Sequence, residues 1–215
     1  MRDVYQEQLT GLADALADMC LQTAVAMEDA TRALLEADLQ LAEQVIADDV
    51  RIDDLRVAAE EKAFGLLALQ APVATDLRVV ISAIHGAGDI ERMGDLAVHV
   101  AKVVKLGKTV PDEVRDDIAE MGRVAVELAL KAADVVRSRN VIKAVELDAD
   151  DDAMDRLHEH MFEVLMHPEW PHGVPAAVDL TLLARYYERF ADHAVVVARG
   201  TVYAVTGEEP EAIPI

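Results

Sequence analysis

Apolar side chains recur at three- and four-residue intervals along this chain, the spacing that keeps one face of a helix dry. Ile90, Met93, Ala97, Val100, Ala101 and Val104 form one such stripe, and Tyr187, Phe190, Ala194 and Val197 another. Few breakers interrupt the pattern, so the helices are expected to be long. The first is expected over about residues 3 to 36. Asp38 is placed to cap a second over about 39 to 68, and Asn140 holds the matching position later in the chain. "LQAPVATDL" breaks at Pro72, and a third helix follows to about Leu106. "GKTVPDE", with Gly107 and Pro111, reads as a linker. A fourth helix is expected to about Ser138 and a fifth to about Met166, with "HPEWPHGVP" as a loop before the sixth. Helices of about 30 residues would be about 45 Å long. The expectation is an all-α fold of six long helices, a tandem repeat of two three-helix bundles.

The order of features repeats. Residues 19–55 align with 121–157 without a gap at an offset of 102, placing Met19 on Met121, Ala30 on Ala132 and Asp53 on Asp155. The offset then drops to 97, which brings "IERMGD" at 90–95 into register with "YERFAD" at 187–192. A loop of different length in each half accounts for the change. The expected units are 1–107 and 108–215.

Composition supports helices packed through small side chains: 53% of residues are hydrophobic and only 4% aromatic. Length sets no obstacle, since 215 residues bury a substantial core. A formal charge of -21 repels phosphate backbones, so nucleic acid is not an expected partner. It favours cations and basic partners, although acidity often serves only solubility. The single cysteine, Cys20, rules out an internal disulfide and reads as a buried structural thiol in a reducing compartment. The opening "MRDVYQEQLTGLADALADM" lacks a signal-type apolar core, and no window reaches the roughly 18 apolar residues of a membrane span. A cytoplasmic protein without direct membrane insertion is expected.

The acids are placed with a pattern. Glu91 and Asp95, and in the second half Glu188 and Asp192, lie four apart and roughly opposite the apolar stripes. A solvated outer face, with Arg92 and Arg189 as counter-charges, is the plain interpretation. The preceding helix of each half adds a second pair, Asp49 with Asp53 and Asp151 with Asp155. Like charges four apart cost a few tenths of a kcal/mol in a helix. Four carboxylates meeting in one groove between neighbouring helices would be relieved by a cation. One surface metal site per half is therefore expected, made by Asp49, Asp53, Glu91 and Asp95 and by Asp151, Asp155, Glu188 and Asp192. All-oxygen ligation suits Mg²⁺, Ca²⁺, Mn²⁺ or carboxylate-bridged iron, and Zn²⁺ stays among the candidate divalent or trivalent ions.

Catalysis finds little support. Di-iron oxygenases use Glu-x-x-His pairs pointing into a bundle, and the one pair here, Glu169 to His172, spans Pro171 in a loop. His158 and His160 are two apart and share no helix face; a solvated helix is expected there, with His158 able to lend a nitrogen to the neighbouring acids. "GAG" at 86–88 lies inside a helix and lacks the Lys-Ser/Thr ending of a phosphate loop. No enzyme activity is expected.

"LALQAPVATDLRVVISAIHGAGDIERMGDLAVHVA" strongly resembles the signature of the PhoU family of phosphate-specific transport system accessory proteins, and "LLARYYERFADHAVVVA" resembles its second copy. The resemblance covers essentially the whole chain. It implies a cytoplasmic regulator that acts with a phosphate ABC transporter, through its ATPase subunit, and with a membrane sensor histidine kinase to restrain the phosphate-starvation response. It also implies a homodimer, and metal clusters bound at (Glu/Asp)-x-x-x-Asp motifs, which fall on Glu91, Asp95, Glu188 and Asp192. "ERFAD" departs from "ERMGD" by the methyl of Ala191, and the dense "DADDDAMD" leaves the aspartate assignment in the fifth helix open. The alternative from the residues alone is a metal-storing or scaffolding helical repeat unconnected to phosphate.

Overall fold

Asp38 accepts a hydrogen bond from the Leu41 backbone N–H (3.0 Å), and Asn140 accepts from Ile142 and Lys143 (3.0 and 3.2 Å). Both expected caps therefore satisfy amide groups that the first helical turn leaves without partners. The computed structural model of the chain describes residues 2–208. They fold as α1 (Arg2–Glu36), α2 (Leu39–Asp48), α3 (Val50–Gln70), α4 (Ala74–Lys105), α5 (Arg115–Ser138), α6 (Val141–Leu165) and α7 (Gly173–Thr206). A one-turn 3-10 helix, Asp112–Val114, precedes α5. The fold is all-α and repeats one three-helix arrangement, as the hydrophobic spacing predicts.

The second expected helix is divided, and this corrects the sequence-based boundaries. α2 stops at Asp48 and α3 begins at Val50, although Asp49 between them keeps helical angles (φ -56°, ψ -33°). The Asp49 carbonyl accepts from both Ile52 (2.8 Å) and Asp53 (3.2 Å), so the turn tightens while the axis continues. The equivalent stretch of α6 is unbroken.

α1, α4, α5 and α7 form the centre. α4 lies along α7 and α1 along α5, so the broadest contacts join one half to the other. α2–α3 covers α1 and α4 on one side; α6 covers α5 and α7 on the other. A single hydrophobic cluster runs through both halves, rich in small residues such as Ala17, Ala30, Ala97, Ala132 and Ala194 that let helices approach closely. Tyr187 and Phe190 are among the largest fully buried side chains, each contributing about 1.5–3 kcal/mol through burial.

One contact fixes how the halves meet. The Thr31 hydroxyl donates to the Met27 carbonyl (2.8 Å) and lies 3.0 Å from the Tyr187 hydroxyl. Opposite it on α5 is Gly122, where an added methyl would stand 2.5 Å from Thr31 Cγ2. Among the described residues, no helix is long and apolar enough to cross a membrane.

Candidate metal sites in two carboxylate grooves

α4 turns Ile90, Met93 and Ala97 into the core, and the same helical period directs Glu91 and Asp95 towards the α2–α3 junction. Both are partly covered, with side-chain exposures of 24% and 41%. The expected outer face is thus a groove roofed by α2–α3. The approach is close at Gly94, where an added methyl would stand 3.0 Å from Ile52 Cδ1 and 3.1 Å from Asp49 Oδ1. The tightened turn at Asp49 falls at this contact.

The first groove gathers the four carboxylates expected of it. Asp49 is half-buried, and desolvation pushes its carboxyl up to about 6, helped by the charges of Asp53, Asp95 and Glu91 and opposed by Lys102. Glu91 is also raised, by desolvation first and then by Asp95 and Asp53, against Arg56 and Arg92. Arg92 reaches Asp95 at 3.4 Å and Glu91 at 3.9 Å, as its expected counter-charge role requires.

The second groove, between α6 and α7, repeats the pattern more strongly. Desolvation pushes Asp151 up to about 7, followed by the charges of Asp155, Asp192, Asp148 and Glu188. Glu188 is raised by burial and then by Asp192 and Asp155, with Arg185 and Arg189 opposing. Its direct ion-pair partner is Arg185; the expected Arg189 acts only through its field. Ala191 is fully buried where the first half has Gly94. The residue related to Ile52 is Met154, an unbranched side chain that is fully buried in α6.

Two polar atoms in the second groove lack partners: Glu188 Oε2 and His158 Nε2 are both buried without a hydrogen bond. The His158 ring meets Phe162 edge-on (5.1 Å), and burial followed by the Arg185 charge lowers its pKa despite Asp155 and Asp192. His158 thus belongs to the groove rather than to a solvated face, while His160 is exposed. The signal lay in spacing: Asp151, Asp155 and His158 stand at i, i+4 and i+7 on one face, as Asp49, Asp53 and Arg56 do. Arg56 and His158 are related by the repeat, so the first groove carries a fixed cation where the second carries an imidazole.

These residues suit a hard cation: oxygen donors in excess, two aspartates whose carboxyls are pushed up by burial and by neighbouring carboxylates, and a Glu188 carboxylate oxygen buried without a partner in the second groove. Among the described residues, however, no group of three or more His, Cys, Asp or Glu side chains is already closed into a ligating arrangement. The local amines and guanidinium groups supply the neutralising charge, and side chains would have to turn inward around an ion. Cys20 stands apart, fully buried, with burial pushing its thiol up to about 12.

Known proteins share this whole architecture. The family model described as "PhoU domain" matches residues 16–104 and again 118–201, one copy in each half. The "Phosphate-specific transport system accessory protein PhoU homolog 2" of Mycobacterium tuberculosis is 56% identical over 213 residues, covering 98% of this chain and 100% of that protein. "PhoU homolog 1" of Mycobacterium leprae is 56% identical over 214 residues, covering 98% and 96%. Among solved structures, "phosphate transport system regulatory protein PhoU from Streptococcus pneumoniae" superposes with a TM-score of 0.86 at 25% identity, over 95% of this chain and 98% of that one.

Proposed function

The chain belongs to the PhoU family, and on that premise we propose that it regulates phosphate uptake and the phosphate-starvation response from the cytoplasmic side of the membrane. In this reading it is an adaptor between the ATPase subunit of a phosphate ABC transporter and a sensor histidine kinase, working as a homodimer and without catalysis. The observation that carries the proposal is coverage: relatives named as phosphate-specific transport system accessory proteins match 98% of the chain, through both repeats.

The metal function is proposed for the same grooves. Asp49, Asp53, Glu91 and Asp95 would hold one cation site, and Asp151, Asp155, Glu188 and Asp192 the other, with His158 available to the second. A bound Mg²⁺, Mn²⁺, Fe or Zn²⁺ would supply positive charge; the carboxylates would lose their mutual repulsion and tie α2–α3 to α4 and α6 to α7.

Deletion of the gene in a strain without a second PhoU copy tests the regulatory reading. Phosphate-responsive genes switched on in high phosphate, and silenced again by restoring the chain, are the expected result. An unchanged response refutes it and favours a metal-storing or scaffolding repeat protein.

A further inference from the structure

The connection between helices differs most between the halves at their tips: 71–73 joins α3 to α4, whereas 166–172 joins α6 to α7. The longer segment carries Trp170, the chain's single tryptophan. It is held in place: Trp170 Nε1 donates to the Gly173 carbonyl (3.1 Å), its backbone N–H donates to the His167 carbonyl (2.9 Å), and its ring meets that of His172 (4.9 Å). His172 in turn bonds Glu113 at 2.9 Å.

Beneath Trp170 lies an open groove of about 600 Å³ between α6 and α7. Phe162 and Met166 form one wall, and Val174, Val178 and Leu182 the other. All five are exposed, Met166 by 78%, Val174 by 74% and Val178 by 52%. Each wall follows a four-residue step, so two apolar ridges face a channel that lacks a third. An amphipathic helix laying its apolar stripe into such a channel completes ordinary helix packing. The pinned tryptophan means little ordering is needed on binding.

Charge selects the occupant. An adjoining hollow shares His167 and Trp170 with the groove and is lined by Glu113, Glu163 and Glu169. The whole chain carries -21. A second copy would set the same acids against each other in a two-fold contact, and an anionic membrane surface would be repelled. We infer that the α6–α7 groove docks an amphipathic helix of a partner protein, with leucine-type side chains entering the groove and lysine or arginine residues facing Glu113, Glu163 and Glu169. The inference rests on the adaptor reading only in expecting a protein partner, and it stands whether or not the carboxylate grooves take metal.

Trp170 is the reporter. The probe is a peptide of about 18 residues, five helical turns, with leucines on one face and lysines elsewhere, added to the full chain while tryptophan emission is followed. The expected result is a saturable blue shift. Val178→Glu and Leu182→Glu, at exposed positions whose fold is checked by thermal melting, should each weaken binding about tenfold, the effect of losing one interface anchor. Leu130→Glu, exposed on α5, should leave it unchanged. Equal binding of a peptide of the same composition with scattered leucines overturns the inference in favour of charge alone. So does unaltered binding by both groove variants. A shift produced instead by phosphatidylglycerol vesicles, or by concentrating the protein by itself, assigns the groove to a membrane or a second copy and also overturns it. The gene-deletion phenotype is independent of these readings, so failure of the groove and failure of the adaptor role are separable.

Discussion

Asp49 and Asp151 hold their protons to about pH 6 and 7, against about 3.9 for an aspartate in an unfolded chain. A raised carboxyl pKa means that the folded state binds the proton more tightly. That contribution to stability is complete below about pH 4 and lost as pH rises through the folded values. Melting temperature should therefore fall between about pH 4 and 7 in metal-free protein. His158 opposes this trend, because its lowered pKa favours the folded state at higher pH. The double variant Asp49→Asn, Asp151→Asn isolates the aspartates: it should be more stable than the parent at pH 8, by about 1–2 kcal/mol after discounting for partial exposure, and should have lost the downward trend. Thermal melts across that range and at pH 8 check both. At Cys20, complete burial and a thiol pushed up to about 12 predict no labelling by a thiol reagent until denaturant is added. At this scale the sequence displayed Asp38 and Asn140 as caps because capping is settled within a turn. It left His158 on a solvated face because only the packing of α7 buries that ring.

Among the helices, glycines separate close contact from mere tolerance. Gly122→Ala would push a methyl to 2.5 Å from Thr31, whose hydroxyl is committed to Met27 and Tyr187. A loss of about 1–3 kcal/mol is expected, as for overpacking in a core. Gly88 lies inside α4 with nothing within 4 Å of an added methyl. Gly88→Ala should instead stabilise by up to about 1 kcal/mol through helix propensity. Denaturant titration of the two variants decides: the same sign for both would contradict the packing described around Thr31. Helix existence was legible from the three-four spacing, and the ends of α1, α5 and α6 fall where capping residues and breakers predict. The division at Asp49 was not legible, since no proline or glycine marks it; it coincides with the close approach of α4 at Gly94. The apolar ridges of α6 and α7 were likewise hidden, because an exposed valine and a buried one read alike in a helical stripe.

For the molecule as a whole, the two halves share one core, so α1 leans on α5 and α4 on α7 across the repeat boundary. The repeat itself could be read from ordered features at offsets of 102 and 97, and with it the pairing of the two acidic motifs. What remained invisible was depth: the motif acids lie under a roof, with Arg56 near one groove and His158 in the other. As proposed above, the two grooves would be cation sites related by the repeat and made unequal by that exchange. Metal content per chain, measured after loading with Mn²⁺ or Fe and removal of free ion, tests this most directly. Glu91→Ala with Asp95→Ala, and separately Glu188→Ala with Asp192→Ala, should each remove the metal belonging to one half, and the quadruple variant should retain none. Retention by a folded quadruple variant equal to that of the parent would contradict the account.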